Sequence, residues 1–206
     1  MRDPAVSDDG ERVAFAMRTS AAGGHDLWEL ELASGQARQL TDDAGPMDGG
    51  AVRTHRDPTY GPTGLIWFVS TRAGVLGDGG RLDTDLYSLD PDTGAVVRRT
   101  WTPHLERKPV FLVTGEESGG EVGFTALRDV LPAQRRAHPF RFPPELSTEY
   151  HQHFGITPPE NLFDDMRELP DGRFVAVIGD LDAPALTGRL GLIDRNFGPE
   201  IPGALG

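Results

Sequence analysis

The chain is predicted to be all-β: a partial β-propeller of four-stranded antiparallel blades. The first observation is a repeat. Asp26–Thr41 (DLWELELASGQARQLT) and Asp85–Thr100 (DLYSLDPDTGAVVRRT) align without a gap, from an Asp-Leu-aromatic opening to a closing Thr. The second is its phase. Each copy follows a Pro-to-Gly turn segment of equal length, Pro4–Gly10 (PAVSDDG) and Pro58–Gly64 (PTYGPTG). Internal periodicity outranks local reading, and four short strands per ~40–45 residues is the size of a propeller blade. The third is composition: 26 Gly and 17 Pro against 37% hydrophobic residues suit a turn-rich β protein.

Each element follows from local pattern. A short strand near Ala5-Val6-Ser7 leads into a tight turn at Asp8-Asp9-Gly10. Arg12–Met17 (RVAFAM) alternates and is rich in β formers, which predicts a second strand. Leu27–Leu32 alternates strictly, with Trp28, Leu30 and Leu32 opposite Leu27, and Gln36–Leu40 follows a Ser34-Gly35 turn. Repeat two has the same order: Thr59-Tyr60, Leu65–Ser70 (LIWFVS), a Gly- and Asp-rich connection over 71–84, Asp85–Leu89 and Ala95–Arg99. Trp28, Trp67 and Phe68 fall on these strands, where large aromatics fill the space between blades.

The later repeats are less regular. Pro109–Val113 and Val122–Ala126 predict the first two strands of a third blade, whose outer strands are not expected to follow. In their place comes 129–165, rich in His and Pro. Its segment RAHPFRFPPE (Arg136–Glu145) is not expected to form a helix or a central strand. A fourth repeat resumes at Met166: a Pro170-Asp171-Gly172 turn, a strand ending at Gly179, and a third strand over Gly188–Asp194. The organisation expected is blades over 1–128, an irregular insert over 129–165, and a further incomplete blade over 166–206. Three and a half blades leave an open sheet edge, so the chain is expected to be a piece of a longer protein.

Composition excludes several function classes. A net charge of −12 repels polyanions, so neither nucleic acid nor an anionic membrane surface is expected as partner. No stretch approaches the ~20 apolar residues of a spanning helix, and no signal-peptide pattern opens the chain. The absence of Cys removes disulfides, thiolate metal sites, Cys nucleophiles and the C-x-x-C-H attachment of a c-type haem. The G-x-S-x-G nucleophile elbow is absent, since Gly115 and Ser118 stand three apart. The chain has one Lys, Lys108, and no phosphate-cradling Gly-rich loop with Lys after a strand.

The candidate metal ligands are His151 and His153. Two residues apart in an extended segment, their imidazoles share one side, and His138 or His104 is the candidate third ligand. Tyr150 is a candidate axial haem ligand, because Tyr serves so in some haem proteins. The opposing reading is that these are polar loop residues packing an insert against the propeller. Asp78, Asp83, Asp85, Asp90 and Asp92 are candidate Ca²⁺ ligands by composition, but they lack the D-x-[DN]-x-[DN]-G order and read better as turn formers. Asp164 and Asp165, with Glu168 nearby, read as surface residues.

The Pro-x-x-Ser-Asp-Asp-Gly turn, RVAFAM and DLWELELASGQARQLT together resemble TolB-type propeller repeats. The degenerate third blade, STEYHQHFGI (Ser147–Ile156) and FDDMRELPDGRFVAVI (Phe163–Ile178) resemble proteins related to the hydrazine synthase alpha subunit. That resemblance implies an exported, periplasmic, propeller-bearing protein associated with haem. This chain departs from haem-bearing members in having no C-x-x-C-H. The expected function is therefore a non-catalytic interaction or scaffold module, whose partner is another protein or the remainder of a longer polypeptide. The alternative is the propeller and middle-domain portion of a haem or metal redox enzyme of that kind. A peptidase propeller would need a G-x-S-x-G further along.

Overall fold

Alternation in the first repeat yields four adjacent strands. In a computed structural model, β1 (Arg2–Val6), β2 (Arg12–Met17), β3 (Asp26–Glu31) and β4 (Ala37–Gln39) form one antiparallel sheet in chain order. The described residues are 1–77, 80–113, 120–128, 136–142, 151–152, 161–183 and 188–194. They divide into two units, Met1–Pro109 and Val110–Gly206. The β2–β3 register, Arg12 opposite Glu31 through Met17 opposite Asp26, follows from the tight alternating pattern. Trp28, expected to fill the space between blades, is half-buried, while Leu27 and Glu29 are buried and Leu32 is exposed. Glu29 tolerates burial because its Oε2 accepts both Nε and Nη2 of Arg38 (2.8 and 2.6 Å) and its Oε1 accepts the Tyr60 hydroxyl (3.0 Å).

A small hairpin that no repeat pattern announces, β5 (Gly45–Pro46) with β6 (Val52–Arg53), joins the first two blades. The second blade comprises β7 (His55–Tyr60), β8 (Ile66–Ser70), β9 (Asp85–Leu89) and β10 (Val96–Arg98). All of β8 (IWFVS) and β9 (DLYSL) is buried, the polar Ser70, Asp85 and Ser88 included. Ala16 and Leu27 of the first blade pack with Phe68, Tyr87 and Leu89 of the second. That apolar cluster holds the two blades face to face.

Gly24 lies against the β6 end of the hairpin. A Cβ there would stand 1.8 Å from the backbone oxygen of Arg53. Neither backbone can yield without breaking neighbouring bonds, among them His25 N–H to Thr54 Oγ1 (3.1 Å) and His55 N–H to His25 O (2.8 Å). Gly24→Ala is expected to cost about 2–3 kcal/mol by overpacking, read by urea denaturation. A cost below ~0.5 kcal/mol would show that this approach is not fixed.

β11 (Leu105–Phe111) carries the chain into the second unit, whose sheet runs β11, β12 (Val122–Arg128), β13 (Arg136–Phe142), β15 (Leu162–Glu168), β16 (Phe174–Gly179), β17 (Gly188–Ile193). β14 (His151–Gln152) also pairs with β13. Here the sequence expectation fails: Arg136–Phe142 is a regular strand, paired with β12 along its whole length. The reason lies with Pro139. The Ala137 N–H points away from β12, to Asn161 O (2.8 Å), so by alternation the Pro139 nitrogen faces the same way. On that side β15 pairs at Ala137 and β14 at Phe140 and Arg141, so the missing N–H falls where no ladder bond is required. Leu112, Phe163, Met166, Phe174, Ile178 and Ile193 form the core of this unit.

The first strands of the four repeats share a feature finer than the strand pattern. Asp3, Asp57, Lys108 and Asp165 all have positive φ, between 49° and 53°. They occupy the same repeat position, one residue before Pro4, Pro58, Pro109 and Met166. For Asp3, Asp57 and Asp165 the ladder register shifts at that point, which marks a β-bulge.

Candidate functional site

The repeat's Asp and Thr are clamps at the blade junction. Leu27 N–H donates to Thr41 Oγ1 (2.9 Å), and the Thr41 hydroxyl donates to Asp26 Oδ1 (3.0 Å). In the second copy Leu86 N–H donates to Thr100 Oγ1 (2.8 Å), and Asp85 pairs with Arg98 (2.8 Å). The first strand of the next repeat brings a further side chain to each: His55 lies near Asp26 in the first, and Glu106 accepts from Leu86 N–H and the Thr100 hydroxyl in the second. Aligning Pro58 with Pro109 puts these two residues in one repeat position. Both are completely buried.

Asp26, Asp43 and His55 bring one ligand-type atom each within 4.8 Å of one another, the one such group among the described residues. Their donors are already engaged. Asp43 Oδ1 accepts from His55 Nε2 (2.8 Å), and its Oδ2 accepts from Arg53 (3.0 Å) and Arg72 (2.6 Å). Asp26 Oδ1 also accepts Ala44 N–H (3.1 Å). Burial alone would raise the Asp43 carboxyl, yet His55 and Arg72 hold it below its ordinary value. Burial lowers His55, so the imidazole is neutral at neutral pH. With Nε2–H given to Asp43, Nδ1 is the acceptor for Ser70 O–H (2.9 Å), and Ser70 Oγ accepts Arg72 N–H (3.0 Å). A cation here would have to displace two guanidinium groups. The Ser70–His55–Asp43 order mimics a hydrolase relay, but Ser70 is fully buried and no substrate carbonyl reaches it. The cluster is a structural latch.

Glu106 makes the second latch. Its Oε2 accepts from Leu86 N–H (2.9 Å) and from the Thr100 hydroxyl, and its Oε1 from Thr102 (2.7 Å). Burial, unrelieved by a cation, pushes its carboxyl up to about 8. At neutral pH it is predominantly the uncharged acid.

Cavities open beside these latches within the first unit. One of about 270 Å³ is lined by Arg2, Arg56, Asp57, Glu106, Arg107 and Lys108, among others. A second of about 270 Å³ shares Thr54 and Arg56 with it and adds Arg18 and His25. Arg2, Arg56 and Arg107 each precede the positive-φ residue of their strand. The acids nearby are engaged: Lys108 Nζ lies 3.2 Å from Asp57 and 3.6 Å from Asp3, and Arg2 pairs with Asp3 (2.8 Å).

The sequence-predicted ligands do not converge among the described residues. His151 opens β14, opposite Arg141, while His153 and Tyr150 lie outside the described residues. His138 is buried on β13 with its ring edge-on to Phe163 (6.2 Å). Burial, then Arg136 and Arg128, lower its imidazole to about 4. His104 stands before β11, with its N–H directed at Thr102 Oγ1 (3.4 Å). Asp85 is a junction clamp and Asp90 caps the Asp90–Gly94 turn through Asp92 and Thr93 N–H (2.9 and 3.2 Å). Asp78 and Ser118 are outside the described residues. Asp165 is a bulge residue paired with Arg167 (2.8 Å). Sequence reasoning missed His55, Asp43, Glu106 and the arginines. Carrying the repeat alignment through Pro58 and Pro109 would have found the strand positions; Asp43 carries no repeat signal.

The chain matches TolB from Acinetobacter baumannii with a TM-score of 0.67 and 15% identity, over 96% of this chain and 41% of that one. The fold is that of a TolB-like β-propeller. A TolB-type protein from Agrobacterium tumefaciens matches with a TM-score of 0.65 and 18% identity, over 95% of this chain and 62% of that one. Kuenenia stuttgartiensis hydrazine synthase matches with a TM-score of 0.69 and 17% identity, over 94% of this chain and 31% of that one. At such identities the likeness is one of fold. The chain spans less than two thirds of each of these structures. No family model and no curated protein matches it. No described helix is long and apolar enough to cross a membrane.

Proposed function

We propose that this TolB-like propeller is a non-catalytic interaction module of a larger exported protein. Its partner is another protein or the remainder of a longer polypeptide. The observation that carries the reading is the use of its buried polar groups. His55 of the second blade bonds to Ser70 and to Asp43 in the connection from the first, and Glu106 bonds to Thr100 and Thr102. Groups that would serve as base, nucleophile or ligand elsewhere are fastening blades here. The likeness to TolB-type propellers supports export.

The second reading is a portion of a haem or metal redox protein, with His151 and His153 as ligands. It is favoured by the extended backbone at His151 on β14, the conformation that a two-residue ligand spacing requires. The chain's donor set does not fit a covalently attached c-type haem, having no Cys. Elemental analysis and an absorbance spectrum of the full-length protein, purified from its native host, separate the two. A colourless protein without stoichiometric metal is expected. A Soret band or one equivalent of metal, lost in His151→Ala or His153→Ala, would overturn the module reading.

A further inference from the structure

Arg56 is the anomalous cation of the first unit. Its Nε is buried without a hydrogen-bond partner, and its guanidinium forms no ion pair or hydrogen bond among the described residues. Buried polar atoms in native proteins nearly always have partners, and a charged one left without is costly. The neighbourhood worsens that cost. Burial first, then the nearby Arg2, lowers the Arg56 guanidinium, and Asp57 and Asp3 only partly compensate. His25 is lowered too, by burial and then by Arg56, Arg2 and Arg18.

The surplus is positive and local. Arg2, Arg56, Arg107 and Lys108 line the larger cavity, where Asp57 is already paired with Lys108 and Glu106 is a latch member. This occurs in a chain whose net charge is −12, so the cationic cavity is a feature of position rather than of composition. Arg56 borders both cavities. The first strands of three successive repeats deliver an arginine each, because Arg2, Arg56 and Arg107 hold one repeat position before a positive-φ residue. A guanidinium fork matches the two oxygens of a carboxylate or the face of a phosphate. About 270 Å³ accommodates a small dianion with some of its water.

We infer that this cavity binds a small oxyanion ligand, a carboxylate or phosphate group seated on Arg56 and flanked by Arg2 and Arg107. The inference rests on the binding-module reading and names the chemistry of one ligand. The test is calorimetric titration of the full-length chain with inorganic phosphate and, separately, with succinate, at low ionic strength. One of the two is expected to saturate at one equivalent, and the tighter of them assigns the source as phosphate or carboxylate. Arg56→Leu is expected to weaken that binding at least tenfold. It should also raise the melting temperature of the ligand-free protein, since it removes an unpartnered half-buried charge; a purely structural arginine would lower it. Should Arg56→Leu fail to fold, Arg56→Lys keeps the charge without the fork and is expected to bind at least several-fold more weakly. No saturable heat with either anion up to ~10 mM, or equal affinity in a folded Arg56 variant and the parent protein, overturns the site. The metal and spectral test of the module reading is independent of that outcome.

Discussion

Replacing Glu106 by Gln is expected to flatten the dependence of stability on pH between about 5 and 8. In the folded protein Glu106 keeps its proton up to about pH 8, whereas an unfolded Glu loses it near ~4.3. Between those values the folded state binds more protons than the unfolded one. Stability therefore falls as pH rises through the window and levels off above it. Each pH unit is worth about 1.4 kcal/mol for a single group, so the ceiling is on the order of 4–5 kcal/mol. A Gln at 106 keeps one oxygen to accept from Leu86 N–H and Thr100, and its amide can donate to a turned Thr102 hydroxyl. It carries no charge to bury at any pH. Urea denaturation at pH 5, 7 and 8.5 reads the difference. Equal slopes for the two proteins would mean that Glu106 is not the group responsible.

Phe68→Ala is expected to cost about 3–5 kcal/mol, the range for emptying a fully buried aromatic site. Phe68 has no exposed surface, stacks on Tyr87 at 5.8 Å, and meets the His55 ring edge-on at 5.6 Å. It thus touches the apolar cluster shared by the first two blades and the latch between them. The surrounding strands are ladder-bonded on both sides, so the cavity cannot easily collapse. The exposed Val97 on β10 serves as a control, and Val97→Ala should stay within ~0.5 kcal/mol. A loss below ~1 kcal/mol for Phe68→Ala would show that the inter-blade core does not depend on it.

The repeat in Asp26–Thr41 and Asp85–Thr100 made the first two blades readable, because alternation, turn glycines and the closing Thr all agree there. Strand bounds differ by a residue or so, except that β1 begins at Arg2 rather than near Ala5 and β7 at His55 rather than at Thr59. His55–Pro58 holds His, Arg, Asp and Pro, a poor strand by propensity, and it forms one where His55 is bonded in the latch and Asp57 is paired with Lys108. β13 was hidden for a related reason: Pro139 looks like a breaker until the partner strands on its nitrogen side are known. The latches themselves needed three dimensions. Asp43 is a loop carboxylate, and nothing in its local pattern separates it from Asp42; only the approach of His55, Arg53 and Arg72 does.

Asp3, Asp57, Lys108 and Asp165 hold one left-handed backbone conformation. A non-glycine residue in that conformation is strained by about 1–2 kcal/mol, and here it recurs at the same place as Asp, Asp, Lys and Asp. The backbone is thus constant while the charge of the side chain is not. Each repeat offers an interchangeable socket on its first strand, a fixed backbone conformation at which the side chain's charge differs from one copy to the next.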